Sequence, residues 1–179
     1  MFINLCVINV GASVGNRSLV CDVFSYVDVI FIVDLPSTPA GRYIDGDIGD
    51  FVLMCDVDKC NVHAYIRRSL VSMFDVVWSD KIGLVLGMMS GGVKRHIGGV
   101  YLRPDMGSSA VEAALLPYTD CHIIVGDMNA RHLRWGHMAD GGNNNQGNAV
   151  NRVLADMDFM VPSIATHDGI SVIDLCTFK

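Results

Sequence analysis

The sequence lacks the features that mark membrane and secreted proteins. None of its apolar runs approaches the roughly 20 residues of a membrane span, and residues 27–33, among the longest, are interrupted by Asp28 and followed by Asp34. Residues 1–10 are apolar but have neither a basic leader nor a small-residue cleavage site, which argues against a signal peptide. We therefore expect an intracellular protein, nuclear or cytoplasmic, that is not secreted and does not enter a membrane.

Paired cysteines and a basic charge balance are also missing. The six cysteines form no Cys-x-x-Cys pair, and several lie in apolar runs, where a reduced cysteine acts as a small hydrophobic residue. The formal net charge of −6 disfavours nucleic-acid binding through the overall field of the chain. Such binding requires a local basic cluster, which the sequence offers at Arg131, His132, Arg134 and His137. The alternative for this cluster is a solvated loop with His132 packed on a sheet.

What the sequence does contain predicts one folded domain over residues 1–179, because 51% of the residues are apolar and only 18% are charged. Apolar periodicity predicts strands at residues 2–10, 28–33, 50–57, 62–66, 74–77, 97–102, 123–125 and 170–175. It predicts helices at residues 16–26, 108–116 and 149–157. Residues 81–89 fit a strand or a buried turn, and residues 88–92 a loop. The alternation of strands and helices indicates the α/β or α+β class.

Small polar residues follow several of these strands. Asn9 and Asp34 end the first two, and parallel strands would open both side chains on one crevice. Asp127 and Asn129 follow the strand at residues 123–125, and side chains two apart on a strand share a face. A carboxylate beside a carboxamide can orient a water and a phosphate oxygen. Each residue alone is also compatible with a turn role, which is common for Asn and Asp.

The order of these residues resembles that of the endonuclease/exonuclease/phosphatase superfamily, and within it the endonuclease domains of non-LTR retrotransposons. The most specific part is Gly-Asp-Met-Asn-Ala-Arg-His-Leu-Arg-Trp-Gly at residues 126–136, which resembles that branch's Gly-Asp-x-Asn-Ala-x-His-x-x-Trp-Gly. Gln146-Gly and the Ser-Val-Ile-Asp segment ending at Asp174 follow in similar order. The likeness covers both ends of the chain and is poor over residues 40–96.

The resemblance implies a fold and a reaction. The fold would be a four-layered α/β sandwich, in which two packed mixed sheets have helices outside them. The reaction would be metal-dependent hydrolysis of phosphodiester bonds, by an endonuclease that nicks DNA. Asn9 and Asp34 would belong to the metal site, with magnesium as the expected ion and manganese as the alternative, because magnesium prefers hard oxygen ligands.

The resemblance also implies roles for individual residues. Asp127 would orient or deprotonate the attacking water. Asn129 would hold the phosphate, and Tyr101 would donate a hydrogen bond to one of its oxygens. Asp174 would brace the catalytic histidine of the family. The basic residues next to this site, Arg131, Arg134 and His132, would contact the nucleic acid.

Two departures from the family pattern lower the expected activity. Asp34 stands where the family has glutamate, which shortens the reach to a metal, and Glu112, the only glutamate, lies on a distant predicted helix. Family members continue to a terminal strand and a Ser-Asp-His motif, whereas this sequence ends at Lys179. We expect a C-terminally shortened fold with an exposed sheet edge that invites self-association. The alternatives are a catalytically impaired relic that acts as an interaction module, and a phosphatase of the same superfamily.

Overall fold

Two open mixed sheets form the centre of the computed structural model, which describes residues 3–9, 26–34, 46–54, 60–135, 142–161 and 174–178. The first sheet has the order β1-β2-β4-β3 and contains β1 (Leu5–Asn9), β2 (Val29–Val33), β3 (Phe51–Leu53) and β4 (Val62–Arg67). The second follows the order β5-β6-β7-β8-β9 and contains β5 (Phe74–Ser79), β6 (Gly83–Ser90), β7 (Val93–Tyr101), β8 (Ile123–Asp127) and β9 (Asp174–Phe178).

Helices connect and cover these strands. Among the residues that the structure describes, α-helices lie at α1 (Ser108–Leu115) and α2 (Asn145–Asp156). Short 3-10 helices lie at Arg68–Met73, Leu116–Tyr118 and Leu133–Trp135. Among the helices of the described ranges, none combines the length and hydropathy needed to cross a bilayer.

Strand register brings the ends of both sheets to one side. In the first sheet β1 runs parallel to β2, and Asn9 is opposite Val33. In the second sheet β7 runs parallel to β8, and Tyr101 is opposite Asp127. Because the chain leaves each of these parallel pairs at its carboxyl end, the side chains that follow can meet in one place.

The core between the sheets is apolar and tightly packed. All five residues of β2 are buried. Phe31 belongs to the cluster between the sheets, whereas Ile30 and Ile32 belong to a separate cluster on the opposite face, as strand alternation requires. Gly99 of β7 allows this packing, since a Cβ atom there would lie 2.3 Å from the Phe31 ring. The second sheet can therefore approach the first closely at β7.

Helices α1 and α2 cover the outer face of the second sheet. Val111 and Leu115 of α1 and Val150 and Leu154 of α2 are buried in one cluster with Val100 and Ile124 of the sheet. Burying such side chains contributes roughly 1.5–3 kcal/mol each. Cys60 and Cys121 are buried in the two larger clusters, in the role of small hydrophobic residues that their apolar surroundings predicted.

The predicted fold, two packed mixed sheets with outer helices, is confirmed, while one loop prediction is wrong. Residues 88–90 were expected in a loop, yet β6 continues to Ser90 and pairs with the start of β7. Gly91 and Gly92, with φ of +59° and +77°, form a two-residue hairpin turn that matches the strand twist. The predicted helix at residues 16–26 lies outside the described residues except at its last position. Residues 170–173 of the predicted strand at 170–175 also lie outside them.

Candidate active site

Asn9 and Asp127 join the two sheets at the centre of the site. The Nδ2 group of Asn9, at the end of β1, donates a hydrogen bond of 2.7 Å to Oδ2 of Asp127, at the end of β8. Asp127 is only 3% exposed. Its other carboxylate oxygen, Oδ1, accepts a hydrogen bond of 2.8 Å from the backbone N–H of Asn129. Both oxygens are thus held in fixed directions, which suits a group that must orient a water molecule.

The loop after β8 depends on an unusual backbone. Gly126 has φ of +149°, and a Cβ atom there would lie 1.8 Å from the carbonyl oxygen of Val100. Asn129 has φ of +46°, so the extended strand ends before it. The prediction that strand alternation places Asp127 and Asn129 on one face is therefore wrong in its reason. A turn closed by the Asp127 carboxylate positions Asn129 instead, and the Asn129 Nδ2 group donates to the Leu102 carbonyl at 2.9 Å.

Tyr101 lies among the predicted site residues. Burial raises the pKa of its hydroxyl to about 12, and a hydrogen bond with the Asp34 carboxylate and the charges of Asp34 and Asp127 add to the rise. A hydrogen bond with the Asn129 side chain acts in the opposite direction. These interactions bring Asp34, Tyr101, Asp127 and Asn129 together, and Asn9 joins them through Asp127. At neutral pH the Tyr101 hydroxyl is protonated and can donate a hydrogen bond.

Gln146, at the start of α2, holds the two loops that flank the site. Its Oε1 atom accepts from the Met106 N–H at 2.8 Å. Its Nε2 group donates to the Arg103 carbonyl at 3.1 Å and to the Met128 carbonyl at 2.7 Å. Gln146 is 2% exposed. The loop after Tyr101 and the loop containing Asp127 are therefore tied to one buried side chain.

Comparison with solved structures identifies the fold. The endonuclease domain of TRAS1, a telomere-specific non-LTR retrotransposon, is similar with a TM-score of 0.68 at 12% identity, covering 99% of this chain and 85% of that one. An AP endonuclease from Leishmania major gives 0.60 at 11% identity, covering 98% and 78%. An endonuclease/exonuclease/phosphatase family protein from Leptotrichia buccalis gives 0.56 at 12% identity, covering 98% and 87%.

The chain has the endonuclease/exonuclease/phosphatase fold. No protein-family model matches the sequence, and no curated protein matches it. The likeness therefore resides in the arrangement of the strands and helices, because only 12% of the residues are identical in two of these structures. In this fold the cluster around Asp127 lies where two sheets end, at the carboxyl ends of the parallel strands β1, β2, β7 and β8.

The oxygen donors of this endonuclease/exonuclease/phosphatase fold suit a hard divalent cation. Asp34 supplies a carboxylate, and Asn9 can offer its amide oxygen because its Nδ2 group faces Asp127. Magnesium is commonly held by one or two carboxylates together with waters and substrate phosphates. Within the described ranges, no group of three His, Cys, Asp or Glu side chains forms a complete metal cage. The donor set therefore fits a magnesium ion that shares its coordination with substrate.

The basic cluster after β8 makes its contacts within its own loop and with the residue that precedes α2. Arg131 uses its backbone N–H to donate to Oδ1 of Asn144 at 3.0 Å. His132 packs its ring on Trp135 at a centroid distance of 5.2 Å, and burial followed by the charge of Arg134 lowers its pKa. Arg134 lines a separate cavity beside Met160. The packing of His132 agrees with the structural alternative, while nucleic-acid contact by Arg131, Arg134 and His132 stays a prediction. His137 lies outside the described residues.

Asp174 is described through its backbone alone. It begins β9 and lies opposite Asp127 across the β8–β9 pair. This register brings Asp174 to the end of the sheet where the site lies, as the sequence order predicted. Its role in bracing a histidine stays a prediction.

Sequence reasoning missed the cavity next to Tyr101. A space of about 460 Å³ is lined there by Asn61, Asp80, Lys81, Ile82, Tyr101, Arg103 and Met106. Most of these residues lie in short turns of the region with poor family likeness, where no motif marks them. Gln146 did carry a signal, because Gln146-Gly was part of the resemblance, but the pattern gave it no structural role.

Proposed function

We propose that this chain is a divalent-metal-dependent phosphodiesterase that nicks DNA, of the type found in non-LTR retrotransposons. The observation that supports it most is the convergence of a buried carboxylate, two carboxamides, a protonated phenol and a second carboxylate at one end of two packed sheets. The TRAS1 endonuclease domain and the Leishmania AP endonuclease have the same fold. The long motif at residues 126–136 favours the nucleic-acid branch over the phosphatases.

The residues divide the work of hydrolysis among them. Asp127, with its oxygens oriented by Asn9 and Asn129, takes the proton of the attacking water as general base. Tyr101, which its pKa of about 12 keeps protonated at neutral pH, donates its one hydroxyl hydrogen to the Asp34 carboxylate and would redirect it to a phosphate oxygen when substrate binds. Asn129 donates one Nδ2 hydrogen to Leu102 and bonds the Tyr101 hydroxyl with its side chain, so it positions Tyr101 and would turn the second donor to the phosphate only when substrate displaces that bond.

Asp34 and Asn9 are the residues that would hold magnesium. When bound, the ion would supply neutralisation of phosphate charge and Lewis-acid assistance. The shorter Asp34 side chain, where the family has glutamate, leaves a longer gap to any ion. We expect this substitution to raise the magnesium concentration needed for activity above that of a glutamate-containing relative.

Nicking of supercoiled plasmid in the presence of magnesium tests the proposal. We expect wild-type protein to convert plasmid to the relaxed form, and Asp127→Ala and Asn129→Ala each to slow this by about 10²–10⁴-fold, the range of general acid–base and oriented-donor contributions. Asp120→Asn removes an exposed carboxylate that precedes β8, at the opposite end of that strand from Asp127, and serves as the matched control.

Three further results of the nicking assay decide between the enzyme and its alternatives. Chelation of magnesium should abolish nicking, and Asp120→Asn should nick at the wild-type rate. If wild-type protein leaves the plasmid intact, or nicks it no faster than Asp127→Ala, the proposed nuclease function is wrong and the interaction-module alternative is favoured. Hydrolysis of a small phosphomonoester without plasmid nicking would support a phosphatase instead.

A further inference from the structure

A groove lined by the cationic side chains of Lys81 and Arg103 lies next to the candidate site, and Tyr101 belongs to both. Its cavity of about 460 Å³ is lined by Tyr101 on the site side, with Lys81, Arg103 and Asn61 among its other walls. A neighbouring cavity shares Asn61, Tyr101 and Arg103 and extends along the loop to Ala110. Both spaces are lined by Tyr101, which is one of the residues proposed for the reaction.

Lys81 is held at this groove by the turn between β5 and β6. Oδ1 of Asp80 accepts hydrogen bonds from the backbone N–H groups of Ile82 at 2.6 Å and Gly83 at 3.2 Å. The Asn61 N–H donates to the Lys81 carbonyl at 3.3 Å, which ties the turn to the first sheet. The neighbouring acid thus caps its own turn, and the exposed Lys81 ammonium is left to solvent and ligands.

Arg103 is anchored on the opposite wall. The preceding Leu102 is fully buried, and the Arg103 carbonyl accepts a hydrogen bond from the buried Gln146 side chain. The Arg103 side chain itself is exposed. Asp80 also lines the first cavity, where its Oδ1 atom caps the turn, and Asp105 lines only the second cavity. The backbone on both walls is therefore fixed, while the two cationic side chains face the space between them.

Four other basic residues of the described ranges give a contrast, whereas Arg95, Arg131 and Arg134, which line neither cavity, are like Lys81 and Arg103 in having no ion pair there. Arg67, Arg68, Lys94 and Arg152 each form an ion pair with an acidic side chain. In the portion of the chain that the structure describes, neither Lys81 nor Arg103 has such a pair. Two uncommitted cations beside Tyr101 stand out in a chain of net charge −6, whose overall field repels polyanions.

We infer that the groove between Lys81 and Arg103 binds the phosphodiester backbone of a nucleic-acid strand next to the bond at Tyr101. The inference deepens the proposed function and rests on it for the position of the cleaved bond. Arg103 supplies a planar guanidinium fork that matches two phosphate oxygens, Lys81 supplies a point charge, and Asn61 adds an amide. The groove then contributes affinity for the strand in addition to any contact that the Arg131–Arg134 cluster makes.

The salt dependence of DNA binding tests the groove separately from catalysis. Fluorescence anisotropy of a labelled short oligodeoxythymidylate is measured with chelator present, so that no cleavage occurs. Each phosphate contact on a single strand contributes about 0.7 to the slope of log K against log salt. We expect Lys81→Met and Arg103→Met each to lower that slope by about 0.7 and the double variant by about 1.4.

Arg95→Met is the matched control, because it removes one exposed charge from the opposite end of the same strand as Tyr101. Arg95 precedes Tyr101 by six positions in β7, about 20 Å along an extended strand. It should retain the wild-type slope. The inference is overturned if wild-type protein does not bind the strand, if the groove variants keep the wild-type slope, or if Arg95→Met loses as much as they do.

Plasmid nicking separates this inference from the proposed function. Wild-type protein that binds DNA through the groove but never nicks would overturn the function and leave the groove intact. Nicking by the Lys81→Met, Arg103→Met double variant with an unchanged KM for plasmid would overturn the groove and leave the function intact. A several-fold rise in that KM supports both.

Discussion

Replacing Gln146 tests how the two loops of the site are held. Gln146→Ala removes three hydrogen bonds at once and leaves the Met106 N–H and the Arg103 and Met128 carbonyls without their partner. The bond to Met128 is buried, and an unsatisfied buried group costs about 1–3 kcal/mol. The bonds to Met106 and Arg103 are partly buried, and the loss of each costs about 0.5–1 kcal/mol of stability.

These contributions predict that Gln146→Ala lowers the free energy of unfolding by about 3 kcal/mol. For a domain of this size that corresponds to a fall in Tm of roughly 6–12 °C. Urea unfolding followed by circular dichroism and by tryptophan fluorescence measures the change, with the slope m compared between variants to check that the unfolding remains two-state.

Two further variants separate the hydrogen bonds from the loss of side-chain volume. Gln146→Glu keeps the size and the acceptor for Met106, but its carboxylate cannot donate to the two carbonyls, so we expect a loss at least as large as that of Gln146→Ala. Arg152→Ala, on the same helix as Gln146, removes an exposed ion pair with Glu112 of α1 and should change stability by less than about 1 kcal/mol. A Gln146→Ala effect no larger than that of Arg152→Ala would refute the reasoning.

Two more predictions concern backbone strain and alkaline pH. Gly126→Ala should lower the free energy of unfolding, measured in urea, by roughly 3 kcal/mol or more. A φ of +149° is unfavourable for a residue with a Cβ atom, and that atom would lie 1.8 Å from the Val100 carbonyl oxygen. A loss below about 1 kcal/mol would contradict this reasoning. Burial raises the pKa of Tyr118 above its usual 10.0, so unfolded protein ionises first and stability falls as pH rises above 10. Tyr118→Phe should make this alkaline fall shallower, whereas exposed Tyr26→Phe should leave it unchanged.

Much of the fold could be predicted from local pattern. The β-branched run of β2 and the helical spacing of α2 are visible in short windows, because burial on both faces of a strand or on one face of a helix imposes its own periodicity. The hairpin at Gly91-Gly92 was mistaken for a longer loop. There the local composition is ambiguous, and pairing of Met88 with Arg95 decides that the strand continues.

The structure brings together residues that the sequence had singled out, but through a geometry that the sequence had not predicted, and their roles stay predictions. The motif around Asp127 and the order of Asn9, Asp34 and Tyr101 identified which residues to consider. The expected reason for the position of Asn129 was strand alternation, yet the structure positions it through a turn at φ of +46°. Such a turn depends on hydrogen bonds to Asp127 and Leu102, and the second of these lies 27 positions away in the chain.

The sequence alone determined most strands and helices of this protein and the strand ends that carry Asn9, Asp34 and Asp127, because periodicity and chain breaks are local properties, while the layering was implied by the family resemblance. Only the tertiary structure decided which distant groups meet. Asn9 contacts Asp127 across 118 positions, Gln146 joins two loops about 40 and 18 positions away, and Lys81 faces Arg103 across a groove that no motif marks. Those contacts depend on how two sheets pack together, and no short window of sequence records that packing.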